Sequence, residues 1–429
     1  MNGIHISQFF KGVLFGIAVL IVLGLLYFIP PINERLSWRV DVAITYIRSR
    51  LDPAGAMPTP DLSSVAAMTI TPPPAPSLTP TLAAPATAVA TTVVSPTPTL
   101  VPTATLVPTP IPAKVELTPP VWEKQAPNNC GATTLSMLLH FYGWQGDQHT
   151  ISDLVKPIQA DRNVNVEELY YFVSTKVTWL TMQYRVGGND DLLKRFLAAG
   201  LPMMIEESSA VEKQYARYDD DYWDGHYLLI TGYDDARQVF ITQDSFLGPD
   251  RLVNYNDLAK NWEPFNHVYL IIFKPEQQQT VQDLLGSDWD AGTNRQHALD
   301  QAQALTQSDP QDKFAWFNLG TNLVYFERYS EAAQAYDSAR KLTIPQRMLR
   351  YQFGPFIAYF RANRIQDLLA LTQYALKITD NSEEAWLWQG WAEYRLGDKQ
   401  TAIDDFNKAL KFHPGYQDAL YALNFVQTN

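Results

Sequence analysis

Gln125–Leu139 reads Q-A-P-N-N-C-G-A-T-T-L-S-M-L-L and holds Cys130, the single cysteine of a 429-residue chain. A Pro-Asn-Asn turn leads into the thiol, and Leu135, Met137, Leu138, Leu139 and Phe141 follow it with the density of a buried helix. The spacing predicts a helix over Cys130–Phe141, closed by Gly143. The thiol then sits at or near a helix N-terminus, where unpaired N–H groups and the helix dipole stabilise a thiolate.

Working outward, further helices are expected over Ile151–Val155, over Val166–Thr175 after an Asn165 cap, and over Asp190–Ala199 between acidic residues and Gly200. Beyond them the period changes. Pro202–Ile205, Tyr227–Gly232, Val239–Thr242 and His267–Phe273 are short runs rich in β-branched and aromatic residues. Helices first and antiparallel strands afterwards define an α+β domain over residues 115–275.

A thiol needs a base, and the base needs a third group to fix its orientation. Gly225-His226-Tyr227 opens one strand, and Gln243-Asp244-Ser245 ends the next, so pairing of the two brings Asp244 beside His226. Cys130 as nucleophile, His226 as base and Asp244 as orienter follow in chain order, and the amide of Gln125 is the candidate oxyanion donor with the Cys130 N–H. His267 is the rival base, but nothing downstream in the domain offers it a carboxylate. His140 lies nearly three helical turns past Cys130, and His149 falls in a polar loop. Asp219-Asp220-Asp221 with Asp224 reads first as a solvated turn; a rim selecting basic side chains, a weak calcium site and electrostatic support for a His226 imidazolium are the alternatives.

A nucleophile on the first helix with its base on a later strand is the papain-like plan. The segments Q-A-P-N-N-C-G-A-T-T-L, G-H-Y-L-L-I-T-G-Y-D-D and V-F-I-T-Q-D-S resemble the cysteine peptidases of family thirty-nine, the bacteriocin-processing, double-glycine-leader peptidases and their stand-alone peptidase-like relatives. Leu252–Trp262 resembles the helix those relatives carry after the Asp. Ala132 stands where many have Pro, and Ser245 where Asp-Pro is common. The resemblance implies a papain fold, hydrolysis of peptide bonds by Cys130, His226, Asp244 and Gln125, and no metal or cofactor. Since relatives also keep the fold as binding modules, a non-catalytic, surface-anchored peptide-binding adaptor is the alternative.

The C-terminal part, residues 279–429, repeats itself. Trp316, Leu319, Gly320, Ala332, Tyr336 and Ala339 recur about seventy residues on as Trp386, Gln389, Gly390, Ala402, Phe406 and Ala409, followed by Pro414. Weaker copies run through Ala298, Ala302 and Pro310, and through Gly354, Ala370 and Tyr374. The spacing W-x2-L-G…A-x3-[FY]…P resembles the tetratricopeptide repeat, which implies an all-α solenoid that binds a peptide or protein partner, capped here by Tyr416–Val426.

Upstream, a tail over 1–11 precedes an uncharged apolar run, read as a single transmembrane signal anchor over 12–32. Residues 33–50 have the spacing of a juxtamembrane amphipathic helix. A Pro/Thr-rich stalk is expected over 51–114, able to hold the next domain more than about 100 Å from the bilayer. Arg35, Arg39, Arg48 and Arg50 after the span argue for a cytoplasmic bulk, whereas the short tail and the stalk favour an extracytoplasmic one, which is the reading adopted. A net charge of -12 argues against nucleic acid as a partner, and one cysteine excludes a disulfide framework and Cys-rich zinc sites.

Overall fold

Among the described residues seven antiparallel strands organise the first folded unit, in the order β2-β7-β3-β4-β5-β6, with β1 laid against the far end of β4. The computed structural model describes residues 11, 13–19, 21–22, 24, 30–61, 111–156, 163–210, 217 and 219–428. The strands are β1 (Lys114–Glu116), β2 (Thr181–Arg185), β3 (Met203–Ala210), β4 (Trp223–Asp234), β5 (Val239–Asp244), β6 (Gly248–Asn254) and β7 (Tyr269–Phe273). An earlier helix, α1 (Pro30–Leu51), is followed by α2 (Cys130–Phe141), α3 (Gln148–Val155), α4 (Val166–Lys176), α5 (Asp190–Ala198), α6 (Tyr255–Trp262) and α7 (Gln278–Leu285).

Both faces of the sheet are covered, which is why the central strands read as unbroken apolar runs rather than alternating ones. On β7, Leu270 and Ile272 join Leu135, Leu138 and Phe172 beneath α2 and α4. Ile271 and Phe273 point the other way, into a core with Phe196 of α5 and Trp262 of α6. The expected Asn165 cap forms, making a reciprocal capping box with Glu168 on α4; Asn189 also caps α5, accepting from the N–H of Leu192 at 2.9 Å.

Three local expectations are corrected. β3 runs on past Ile205 to Ala210, because the polar stretch Glu206-Glu207-Ser208-Ser209 keeps its ladder with β4. The helix expected over Leu252–Trp262 is divided: Leu252–Asn254 finish β6, and Asn254 caps a helix starting at Tyr255. His267 does not open a strand, since its backbone is left-handed (φ 49°) and β7 begins at Tyr269.

The second unit is helical: α8 (Ala291–Ser308), α9 (Lys313–Tyr325), α10 (Tyr329–Lys341), the short α11 (Met348–Tyr351), α12 (Gly354–Arg361), α13 (Ile365–Ile378), α14 (Glu383–Leu396), α15 (Lys399–Phe412) and α16 (Gln417–Thr428). The repeated glycine has a direct packing reason. A Cβ on Gly320 would lie 2.7 Å from the Tyr336 ring, and one on Gly390 2.6 Å from Phe406, so each aromatic of the second helix fills the notch left on the first. The weak first copy is explained too. Ala298 and Ala302 are buried on α8, but the preceding α7 gives Val281 and Leu285 to the sheet core instead of pairing with α8 as a repeat.

At the other end of the chain, residues 52–61 do not behave as the start of a stalk. The N–H of Ala54 donates to Asp219 at 2.8 Å, Met57 is buried in the repeat core, Arg340 donates to the carbonyl of Pro58 at 2.6 Å, and the N–H of Asp61 donates to Asp367 at 3.0 Å. The remainder of the expected stalk, 62–110, lies outside the described residues, as does the tail apart from Lys11. Among the described residues no helix is long and apolar enough to cross a membrane. Of the expected span 12–32, residues 12, 20, 23 and 25–29 lie outside the described residues; residues 13–19 are helical, with Leu14, Phe15 and Ile17 exposed.

Candidate active site

Cys130 is the first residue of α2, and Asn129 before it makes no side-chain cap, so the opening N–H groups of the helix face the thiol's end. The Asn129 amide is occupied elsewhere. It donates at 2.8 Å to the side-chain oxygen of Gln148, which also accepts from the N–H of Ala126 at 2.7 Å and from Thr133 Oγ1 at 2.9 Å. The Gln148 nitrogen in turn donates to Glu123 at 3.0 Å and to the Lys124 carbonyl at 2.8 Å. One buried amide thus fixes the whole approach to the thiol. Asn128, in the left-handed region at φ 56°, completes the turn, and Lys156 Nζ donates to its carbonyl at 2.6 Å.

Gly131 explains the Cys-Gly pair. A Cβ there would stand 3.1 Å from the Tyr227 ring, so the glycine lets α2 close on β4, where Thr134 Oγ1 donates to the Tyr227 carbonyl at 3.1 Å. His226 precedes Tyr227 on β4 and is 8% exposed; Asp244 ends β5 and is 6% exposed. His226 Nε2 donates to Asp244 Oδ1 at 3.1 Å, which leaves Nδ1 as the ring nitrogen able to take a proton from Cys130. Asp244 Oδ1 is held by the N–H groups of Phe246 at 2.8 Å and Leu247 at 2.9 Å, and its carbonyl accepts from Trp122 Nε1 at 2.8 Å.

Electrostatics follow from these contacts. Burial pulls the His226 imidazole down, but hydrogen bonds and charge from Asp244 and Cys130 outweigh it and hold the ring well above its ordinary value. Burial pushes Asp244 up, yet the hydrogen bond and charge of His226 and the two backbone donors leave it below the usual carboxylate range. Such a chain can take a proton from Sγ and keep the resulting imidazolium paired. Gln125 is fixed on the same side: its N–H donates to the Ser245 carbonyl at 2.9 Å, and its Oε1 accepts from Ser245 Oγ at 2.8 Å. That orientation leaves its Nε2–H without a partner among the described residues.

Cys130, His226 and Asp244 are therefore brought together, with Gln125 joined to the residue after Asp244. The rival histidines are elsewhere. His267 packs edge-on against Trp262 at 5.3 Å, and burial pulls it down to about 4. His140 contacts the Gly146 carbonyl, and His149 is exposed. The acidic loop is solvated only in part, with Asp221 and Tyr222 exposed, and no metal-binding cluster is present among the described residues. Asp220 is buried in a pair with Arg347, Asp221 accepts from the N–H of Gln346 at 2.7 Å, and Asp224 accepts from the hydroxyl of Tyr351. Its carboxylates dock the repeat unit, and the charge that raises His226 is that of Asp244 and Cys130.

Sequence reasoning missed Gln148, Trp122, Glu206, Glu207 and Tyr351. Glu207 pairs across from His226 in the β3–β4 ladder, and burial, against the charge of His226, pushes it up to about 7. Glu206 lines the space beside Cys130, and burial, helped by the thiol's charge, raises it well above the carboxylate range. Their acidic, adjacent positions in a polar stretch read as surface; both are interior because both faces of β3 are covered.

Residues 116–270 match the family model described as the Peptidase C39 like family, and residues 383–416 match the tetratricopeptide repeat. Residues 116–270 are a C39-like domain. No curated protein matches the chain. Among solved structures, a protein of Bacillus anthracis described as a C39-like peptidase is 16% identical, covering 38% of this chain and 98% of its own, with a TM-score of 0.31. YrrB, a tetratricopeptide-repeat protein with an unusual peptide-binding site, is 19% identical over 35% of this chain and 74% of its own, with a TM-score of 0.29. MamA is 16% identical over 32% of this chain and 84% of its own, also at 0.29. The C39-like domain thus contains the whole Cys130–His226–Asp244 chain, while its acidic loop belongs to the junction with the repeats.

Proposed function

We propose that the C39-like domain is a papain-like cysteine peptidase and that the repeats bind a protein partner or a segment of its substrate. The observation that carries the reading is the buried 3.1 Å His226–Asp244 hydrogen bond beside a thiol at a helix start. In the reaction, His226 takes the Sγ proton as the Cys130 sulfur attacks the carbonyl carbon of a peptide bond. The oxygen that gains charge is met by the Cys130 N–H and the Gln125 amide. His226 returns the proton to the leaving amine, an acyl-enzyme forms, and a water activated by His226 hydrolyses it.

Anchoring belongs to the same proposal. The charge-free run over 12–32 and the exposed apolar side chains of residues 13–19 support a single membrane span, and the Pro/Thr-rich composition of residues 62–110 supports an extracytoplasmic placing of the folded units.

The second reading is a peptide-binding adaptor without turnover. It is favoured by one observation: the void bounded by Cys130, Glu206, Gly225 and Tyr351 measures only about 10 Å³, which holds no more than a water. Incubation of the full chain with a peptide library separates the two. The peptidase reading expects cleavage that falls by about four orders of magnitude or more in Cys130→Ala. Cleavage unaffected by that change refutes the nucleophile; binding without cleavage in the unmodified protein establishes the adaptor.

A further inference from the structure

The residue that closes the space over the thiol comes from the repeats. Tyr351 ends α11, the short helix between two regular repeat pairs, and lines the same small void as Cys130, Gly131 and Gly225. Its ring leaves no room above the residue that precedes His226: a Cβ on Gly225 would lie 3.0 Å from Tyr351 Cε1 and equally close to Phe265. The ring packs edge-on against Trp223 at 5.9 Å and Phe265 at 6.0 Å, both from the C39-like domain. Its hydroxyl donates to Asp224, two residues before His226.

The turn that carries this ring is clamped on both sides. Arg347 donates to Asp220 at 2.7 Å and to the Trp223 carbonyl at 2.8 Å, and Gln352 donates to the Pro264 carbonyl at 2.7 Å. Arg350 reaches back to Thr379 at 3.0 Å within the repeats. The turn therefore cannot shift without breaking a buried ion pair and several hydrogen bonds, and the ring cannot rotate without losing its bond to Asp224.

We infer that the repeat unit completes the substrate cleft, and that Tyr351 is a specificity-determining residue that limits the size of the group admitted beside Cys130. The inference rests on the peptidase reading for its biological sense, but the wall itself is a property of the thiol's surroundings and is tested without turnover.

The test alkylates Cys130 in the full chain with iodoacetamide and with the bulkier N-naphthyl iodoacetamide, each rate divided by that of a free model thiol. The unmodified protein is expected to favour the small reagent by about tenfold or more, the scale at which a close-fitting pocket rejects extra atoms. Tyr351→Ala is expected to bring that preference to within about twofold of the model thiol, and Tyr351→Phe, which keeps the ring, to retain it. Tyr351→Leu keeps apolar packing and moves in the same direction by less; it replaces the alanine variant should thermal unfolding show that one to be unfolded. A size preference unchanged in the folded truncated variant, or absent from the unmodified protein, overturns the inference. Failure of the peptidase reading gives a different result: an iodoacetamide rate no faster than the model thiol's and indifferent to His226→Ala, with the size preference still sensitive to residue 351.

Discussion

Glu207 is an acid placed where an acid is costly. It is 7% exposed, its Oε2 has no hydrogen-bond partner, and its ordinary value of 4.5 is pushed by burial to about 7, against the pull of His226. Because the folded state holds this proton more tightly than the unfolded chain, stability is fully present below pH 4.5 and declines as pH rises towards 7. At about 1.4 kcal/mol per pH unit the interval corresponds to about 3 kcal/mol, close to an upper bound because the unfolded chain retains some structure. Glu207→Gln is nearly isosteric and cannot ionise. It is expected to flatten that decline, so that the stability difference between variant and unmodified protein grows by up to about 3 kcal/mol from pH 4.5 to pH 8. Chemical unfolding followed by tryptophan fluorescence at a series of pH values reads it directly. Parallel profiles across that range would show that the carboxyl is not taken out of water, and the burial argument would fail.

Two further changes test the architecture. Arg347→Ala leaves Asp220 buried and unpaired, a loss of about 3–5 kcal/mol expected to separate the units, read as a lowered or split thermal transition. Lysine at 347 is expected to restore only part of it, since Arg347 binds both carboxylate oxygens and the Trp223 carbonyl. Gly232→Ala puts a Cβ 2.5 Å from the Val115 carbonyl, a backbone atom that cannot rotate away. It is expected to detach β1 at a cost of about 1–3 kcal/mol and to open residues 111–117 to proteolysis; an unchanged midpoint would contradict that contact.

What the sequence disclosed was local or spaced along one element. The start of α2 at Cys130, the Asn165 cap, and the glycine–aromatic rhythm of the repeats follow from turn chemistry and periodicity, and each has its counterpart in contacts. The approach of Asp244 to His226 was legible because it required only that neighbouring strands pair. The interior place of Glu206 and Glu207 was not, because consecutive strand residues point to opposite faces and both faces of this sheet are covered, which a polar stretch does not announce. Nor was the use of the acidic loop, whose partners Arg347 and Tyr351 lie more than a hundred residues away. A cluster of like charges looks like solvent until the opposite charge is found.

The docking of residues 52–61 changes what the Pro/Thr-rich stretch can do. Chain entering that stretch leaves the repeats at Asp61, bonded to Asp367, and chain leaving it rejoins the sheet at Pro112, whose carbonyl accepts from Tyr233, and Lys114, paired with Asp234. Both ends of the stretch are moored to the same folded body. A protease cutting once within it divides the polypeptide but sheds nothing: α1 and residues 52–61 stay with the repeats through Met57, Arg340 and Asp367. Separating the two pieces then requires those few contacts to break, whatever the length of the stretch between them.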